Sequence, residues 1–123
     1  MTSDAHTVLV VDDDDELRES LSVLLEDGGF EVTGARNGRE ALAYLQAHPP
    51  RRVIVLDAMM PVMSGQEFRA EQLRDQSLAG IPVVVLTAAH DGRRQAEALR
   101  AADYFAKPLR FESFFDALRA NCC

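Results

Sequence analysis

Val8-Leu9-Val10-Val11, followed by Asp12-Asp13-Asp14-Asp15-Glu16 and then by Leu17, Leu21, Leu24 and Leu25, is the stretch that decides the fold. Four apolar residues in unbroken succession describe a strand buried on both faces, and the spacing i, i+4, i+7, i+8 that follows describes the apolar stripe of a helix. Gly28 and Gly29 end that helix in the usual C-terminal manner. The alternation then recurs along the whole chain. Phe30 to Ala35 reads as a second strand, and Asn37 with Glu40 caps a helix carrying Ala41, Leu42 and Leu45 that stops at His48-Pro49-Pro50. Arg52 to Leu56 is the third strand, and Ser64 with Glu67 forms a second capping signature for a helix through about Arg74. Ile81 to Leu86 is the fourth strand. Asp91 is the candidate cap of a helix bearing Ala96 and Leu99, Tyr104 to Ala106 is the fifth strand, and Phe111, Phe114, Phe115 and Leu118 mark the last helix.

Five strand-helix units whose strands are apolar on both faces require a parallel sheet with helices on each side. The fold class is therefore α/β, a doubly wound five-stranded parallel sheet of flavodoxin-like strand order 2-1-3-4-5. The 123 residues allow one domain, spanning 1–123, and 47% hydrophobic with 27% charged residues is an ordinary globular composition. A formal charge of −7 disfavours direct contact with nucleic acid or anionic lipid, which carry the same sign. Apolar runs such as Val53 to Leu56 are far shorter than a membrane span, and Met1 to His6 lacks the pattern of a secretory signal, so the expected location is cytoplasmic. Cys122 and Cys123, adjacent at the end of the sequence, read as an exposed tail and cannot staple the fold.

In open parallel sheets the site lies beyond the carboxyl ends of the strands, where the strand order reverses. Asp12 and Asp13 stand there after strand one, Asp57 after strand three, Thr87 after strand four and Lys107 after strand five. Three carboxylates gathered in one place repel each other and either take up a proton or hold a cation. Hard oxygens of this kind suit Mg2+, which binds through one or two carboxylates plus a phosphate. A hydroxyl and an ammonium beside such a cluster make chemical sense if a phosphoryl group is also held, with an aspartate as its acceptor. Singly, each residue has an ordinary explanation: Asp14, Asp15 and Glu16 read as a solvated helix N-terminus with Asp14 as the cap, and Asp57 alone reads as a turn former. Their joint placement at four strand ends is what carries the site.

Val8-Leu-Val-Val-Asp-Asp-Asp14, Val53-Ile-Val-Leu-Asp-Ala-Met-Met-Pro61 with Ser64-Gly65, Val84-Val-Leu-Thr-Ala88 and Asp103-Tyr-Phe-Ala-Lys-Pro108 together resemble the receiver domain of bacterial two-component response regulators. The resemblance covers essentially the whole chain. It implies that Asp57 accepts a phosphoryl group from a histidine kinase or a histidine phosphotransfer protein. It further implies that Asp13, Asp57 and the backbone carbonyl of Met59 bind Mg2+, with Asp12 helping through a water. Thr87, Ala88 and Lys107 would contact the phosphoryl group, and Tyr104 would be an aromatic switch that turns inward as Thr87 moves. By the same resemblance Lys107-Pro108 is expected as a cis peptide bond, and a phosphorylation-dependent homodimer or another protein partner would read the switched surface. Two departures stand out. Leu99-Arg-Ala-Ala-Asp103 has no glycine where the family usually turns from the fourth helix to the fifth strand, so that helix end must be made differently. Met59 and Ala89, two residues after Asp57 and Thr87, cannot orient a water, so slow self-dephosphorylation is expected.

Competing readings are a Mg2+-dependent phosphohydrolase using Asp12 or Asp13 as nucleophile and a pseudo-receiver that only binds partners. The first normally needs a Thr or Ser soon after its acidic pair, which Asp12 to Leu17 lacks; the second commonly lacks part of the acidic, acceptor or lysine set. Flavin binding fails because Asp12 to Asp15 would repel a phosphate. With five residues after Leu118, a free-standing regulator or a piece of a larger protein is expected. One count sharpens the site: 12 of the 13 basic residues are arginine, and the single lysine is Lys107. A compact, strongly hydrated ammonium is not replaceable by a wide planar guanidinium where it must fit against a phosphoryl group. Lys107→Arg is therefore expected to lose phosphorylation-dependent switching, measured as the change in amide NMR shifts on phosphorylation; switching equal to that of the unsubstituted chain would refute the assignment.

Overall fold

The computed structural model describes residues 7–48, 53–57, 65–88, 92–107 and 110–122. Ten elements alternate along the chain: β1 (Thr7–Val11), α1 (Asp15–Asp27), β2 (Glu31–Ala35), α2 (Gly38–Ala47), β3 (Val53–Asp57), α3 (Gly65–Arg74), β4 (Val83–Ala88), α4 (Gly92–Leu99), β5 (Asp103–Lys107) and α5 (Phe111–Cys122). All four strand pairings are parallel, in the order β2-β1-β3-β4-β5. The sheet order reverses between β1 and β3. The expected fold class and strand order are thus observed.

Period-two alternation sorts the core into two halves. Leu9, Val11, Ile54, Leu56, Val83 and Val85 pack with Ala41 and Leu45 of α2, Phe68 of α3 and Leu99 of α4. Val8, Val10, Val53, Val55, Val84 and Leu86 pack with Leu21 and Leu25 of α1 and Phe114 and Leu118 of α5. Phe105 of β5 meets Phe114 edge-on at 5.5 Å between ring centroids, a geometry that aromatic pairs prefer. Every residue of β1 and β3 is buried. Such strands offer no solvent-facing side, which is why their sequences are continuous rather than alternating.

Several boundaries differ from the sequence reading. Phe30 starts no strand: its N–H donates to the Leu25 carbonyl and that of Gly29 to the Glu26 carbonyl, a helix-ending motif with Gly29 at φ 97. β3 runs to Asp57, β4 runs from Val83 to Ala88 rather than from Ile81 to Leu86, and β5 extends to Lys107. The ladder explains the shift, since Ile81 N–H is taken by the Leu78 carbonyl in a turn, whereas Thr87 and Ala88 still pair with Ala106 and Lys107. Asp57, Thr87 and Lys107 are therefore the last ladder residues or nearly so, not loop residues. The Asn37 cap is as expected, accepting from Glu40 N–H, but the Glu40 carboxylate reaches Arg36 N–H rather than Asn37. Asp14 is the cap of α1, accepting from Leu17 N–H. The caps at Ser64 and Asp91, the stop at Pro49-Pro50, the Lys107-Pro108 bond and Cys123 lie outside the described residues.

The glycine-free end of α4 repeats the motif that ends α1. Arg100 N–H donates to Glu97 and Ala101 N–H to Ala96, and Arg100 itself adopts φ 54, a left-handed conformation that costs a residue with a Cβ about 1–2 kcal/mol. Arg69 of α3 closes over this turn, donating from Nε to the Leu99 carbonyl (2.8 Å) and from Nη2 to the Arg100 carbonyl (3.1 Å). Its Nη1 holds Gln72 Oε1 at 2.7 Å, and the fully buried Gln72 gives both amide hydrogens to the Leu78 and Ile81 carbonyls ahead of β4. Burial, and then the charge of Arg100, push the Arg69 guanidinium below its ordinary value. Arg100→Gly should relieve both the left-handed strain and the charge, offset in part by the freer unfolded chain, and stabilise the protein by about 0.5–1 kcal/mol. A urea midpoint that stays put or falls would show that the turn carries no such strain.

Candidate functional site

The acidic end of β1 is built by four local hydrogen bonds. Asp12 N–H continues the ladder to the Ala35 carbonyl of β2 at 3.1 Å, which draws Asp12 inward to complete burial. Its Oδ1 accepts from Asp14 N–H at 2.9 Å, turning the chain toward α1 and leaving Asp13 exposed at the rim. Arg18, one turn into α1, folds back so that Nη1 donates to the Asp12 carbonyl at 2.8 Å while Nη2 holds Asp15 at 2.6 Å. The arginine stem lies across β2 at Gly34, where a Cβ would stand 3.1 Å from Arg18 Cδ. A glycine inside a strand often marks such a close approach.

Asp57 enters the same volume from β3. Val11 pairs with Leu56 across the β1-β3 register, so Asp12 and Asp57 emerge side by side at the reversal of strand order. One carboxylate oxygen from each of Asp12, Asp13 and Asp57 lies within 4.8 Å of the others. Asp57 is buried and Asp13 is exposed, which gives the cluster a deep member and an open one. Hard oxygens from two buried carboxylates and one facing solvent are the donor set that Mg2+ takes, with room for the waters it retains. These residues fit the ion.

Thr87 and Lys107 reach this end of the sheet on the next two strands. Asp57 pairs with Leu86, Thr87 with Ala106 and Ala88 with Lys107, so each strand carries its polar residue one step further out. Thr87 is buried, and its Oγ1 donates a hydrogen bond to Gln95 Oε1 on α4. Tyr104 is 38% exposed beside a cavity of about 270 Å3 that Arg93, Ala96, Glu97 and Arg100 also line. Met59 and Ala89 lie outside the described residues, as do the loops that follow Asp57 and Ala88. The structure thus brings Asp12, Asp13 and Asp57 together in space and places Thr87, Ala88 and Lys107 on the adjoining strand ends. Arg18 and Gln95 were not anticipated. Gly34 inside a strand was the available signal for Arg18; Gln95, one residue before the buried Ala96, had none.

The model of the response regulator receiver domain matches residues 8–119. The phosphate regulon transcriptional regulatory protein PhoB of Pseudomonas aeruginosa is 35% identical over 116 residues, 93% of this chain and 50% of PhoB. The response regulator MprA of Mycolicibacterium vanbaalenii is 40% identical over 115 residues, 92% of this chain and 48% of MprA. The chain therefore spans about half the length of these curated relatives. Among solved structures, the chemotaxis protein CheY4 of Vibrio cholerae superposes with a TM-score of 0.85 at 33% identity, covering 94% of this chain and 98% of that one. Nothing in these matches supports a phosphohydrolase. Response regulators take their phosphoryl group from histidine kinases, and receiver domains in general bind Mg2+ in an acidic pocket, the chemistry to which the three carboxylates are suited. With its strand order, its acidic cluster at the sheet reversal and a family match over nearly its full length, this chain belongs to the response regulator receiver domains of two-component signal transduction.

Proposed function

We propose that Asp57 is the phosphoacceptor of this chain, taking a phosphoryl group from a histidine kinase or histidine phosphotransfer protein and using it to switch a protein-binding surface. The observation that carries the reading is the convergence of the Asp12, Asp13 and Asp57 oxygens within 4.8 Å, with Asp57 buried among them. An Asp57 carboxylate oxygen attacks the phosphorus of a phosphohistidine; the new O–P bond forms as the N–P bond breaks, and the imidazole leaves with its electron pair. Mg2+ held by Asp12, Asp13, Asp57 and the Met59 carbonyl would neutralise the charge that gathers there. Lys107 supplies a compact positive charge to the phosphoryl oxygens, and Thr87 and Ala88 supply hydrogen-bond donors, the hydroxyl and a backbone N–H. The acyl phosphate adds up to about two negative charges at one point and stabilises the arrangement in which Thr87 has moved toward it. Tyr104, half-exposed beside the cavity at α4, turns inward in that arrangement. The chain acts in signalling, as a single receiver domain over 1–123, without a separate substrate of its own. The switched surface of this domain itself meets a protein partner, a second copy of the domain included, without direct nucleic-acid binding by the domain, given the charge of −7. No helix among the described residues is long and apolar enough to cross a membrane, and a cytoplasmic location fits a kinase partner.

Incubation with a small phosphodonor and Mg2+, followed by mass spectrometry of the borohydride-trapped acyl phosphate, tests the assignment. Asp57→Ala is expected to lose the label and Asp12→Ala to retain some of it; the reverse pattern would instead favour a hydrolase nucleophile at Asp12. EDTA should abolish labelling with no change in the far-ultraviolet circular dichroism. The label on the unsubstituted chain should persist for minutes or longer after the donor is removed, because Met59 and Ala89 offer no group that positions an attacking water; decay within seconds would contradict that account.

A further inference from the structure

Thr87 stands on β4 in phase with Val83 and Val85, which pack with Leu99 of α4, and out of phase with Val84 and Leu86, which pack with Phe114 of α5. Asp57 stands in the other phase on β3, with Val53 and Val55 on the side of α1 and α5. Alternation therefore sends the Thr87 side chain toward α4 and the Asp57 side chain toward the opposite face. There the Thr87 hydroxyl donates to Gln95 Oε1, with Thr87 buried and Gln95 half-buried. A hydroxyl carries one proton. It can be given to Gln95 or to a phosphoryl oxygen on Asp57, and not to both.

We infer that Gln95 is a positioning residue: it holds the Thr87 hydroxyl in the unphosphorylated arrangement and so sets how readily the domain switches. The inference rests on the phosphoacceptor reading of Asp57 and adds to it the competitor that a phosphoryl group must displace. When Thr87 turns away, the Gln95 amide loses the Thr87 hydrogen bond on the helix that carries Ala96 and Glu97, both of which line the cavity beside Tyr104. Release of Gln95 is in this way felt at the wall of the space next to the aromatic residue. An intramolecular hydrogen bond between neutral groups is worth enough to change an equilibrium about two- to tenfold.

Beryllofluoride, a tetrahedral mimic of the phosphoryl group, can be titrated in the presence of Mg2+ while the amide NMR shifts of Thr87 and Tyr104 are followed. Gln95→Met, which keeps an unbranched side chain of similar size and removes the acceptor, should lower the half-saturating concentration about two- to tenfold. Gln95→Glu, whose charged acceptor binds the hydroxyl more strongly, should raise it. In a Thr87→Ala background the effect of Gln95→Met should vanish, which a general packing role for Gln95 would not produce. If Thr87→Ala weakens binding of the mimic while Gln95→Met leaves it unchanged, Gln95 has no such role and the phosphoacceptor reading stands. If Thr87→Ala changes neither the half-saturation nor the Tyr104 shift, the site reading itself is overturned, and with it the inference.

Discussion

Burial of β1 and β3 on both faces is the constraint on which the rest depends. A residue inside either strand meets a helix layer whichever way it points, so a charge there would be stranded away from water at a cost of several kcal/mol. Polar chemistry is thereby confined to the strand ends. Of those, the end at which the strand order reverses between β1 and β3 is where open parallel sheets hold a site. Asp12 and Asp57 lie level across that divide. The acidic cluster is a consequence of where the core stops.

Holding acids at that point requires a backbone that does not yield to their repulsion. The hydrogen bonds that serve this purpose come from backbone N–H groups and from arginine. At the acidic cluster Arg18 fixes the Asp12 carbonyl and bridges to Asp15; at the opposite end of the sheet, where α4 leads into β5, Arg69 fixes two carbonyls in the same way while gripping Gln72. Both bind two or three acceptors at once through a planar fork, which lysine cannot do. Arginines on the helix surfaces form i,i+3 or i,i+4 pairs, such as Arg74 with Glu71 at 2.9 Å and Arg93 with Glu97 at 3.4 Å, each worth at most about 1 kcal/mol. Among the described residues, arginine thus serves in exposed pairs of small value and in two partly buried clamps on which the loop geometry depends. Lys107 remains the only basic residue that is not an arginine.

The layer order, the strand order and the three acids were legible because continuous apolar runs and helix stripes have different periods, and because residues that end parallel strands converge. Asp14 and Asn37 as helix caps were legible for the same local reason: a cap is decided within four residues. What escaped the sequence was decided by contacts far apart along the chain. Strand ends shifted by one or two residues at Asp57, Val83 and Lys107, because a ladder continues as long as its neighbour can pair, and that neighbour is 19 or more residues away in the sequence. The missing glycine near Ala101 suggested a differently made helix end, whereas the motif that ends α1 forms again with Arg100 in the left-handed position, under an Arg69 clamp that needs a residue of α3 to complete it. Gln95 was invisible for a similar reason. A glutamine on a short, arginine-rich helix looks solvated until β4 is placed beneath it.

On the proposed reading of Asp57 as phosphoacceptor, strand phase gives the switch its two sides. Asp57 and Thr87 belong to adjacent strands but to opposite phases, so the proposed acceptor and the hydroxyl that would serve it begin on different faces of the sheet. Were they in the same phase, the hydroxyl would already face the acceptor and phosphorylation would change little. Opposed phases make the hydroxyl travel, and a hydroxyl that travels must first be held somewhere else. On the inferred role of Gln95, its bond to Thr87 is that other position, which would set the resting state of the site on α4, next to the half-exposed Tyr104 and its cavity. A ligand shifts such an equilibrium only by its differential interaction with the two states. On that inference the difference would be one proton for which an amide oxygen and a phosphoryl oxygen compete, the latter charged and therefore the stronger acceptor. A neutral amide is suited to the competing place because it loses to a phosphoryl group, whereas a carboxylate at the same position would hold the hydroxyl against it.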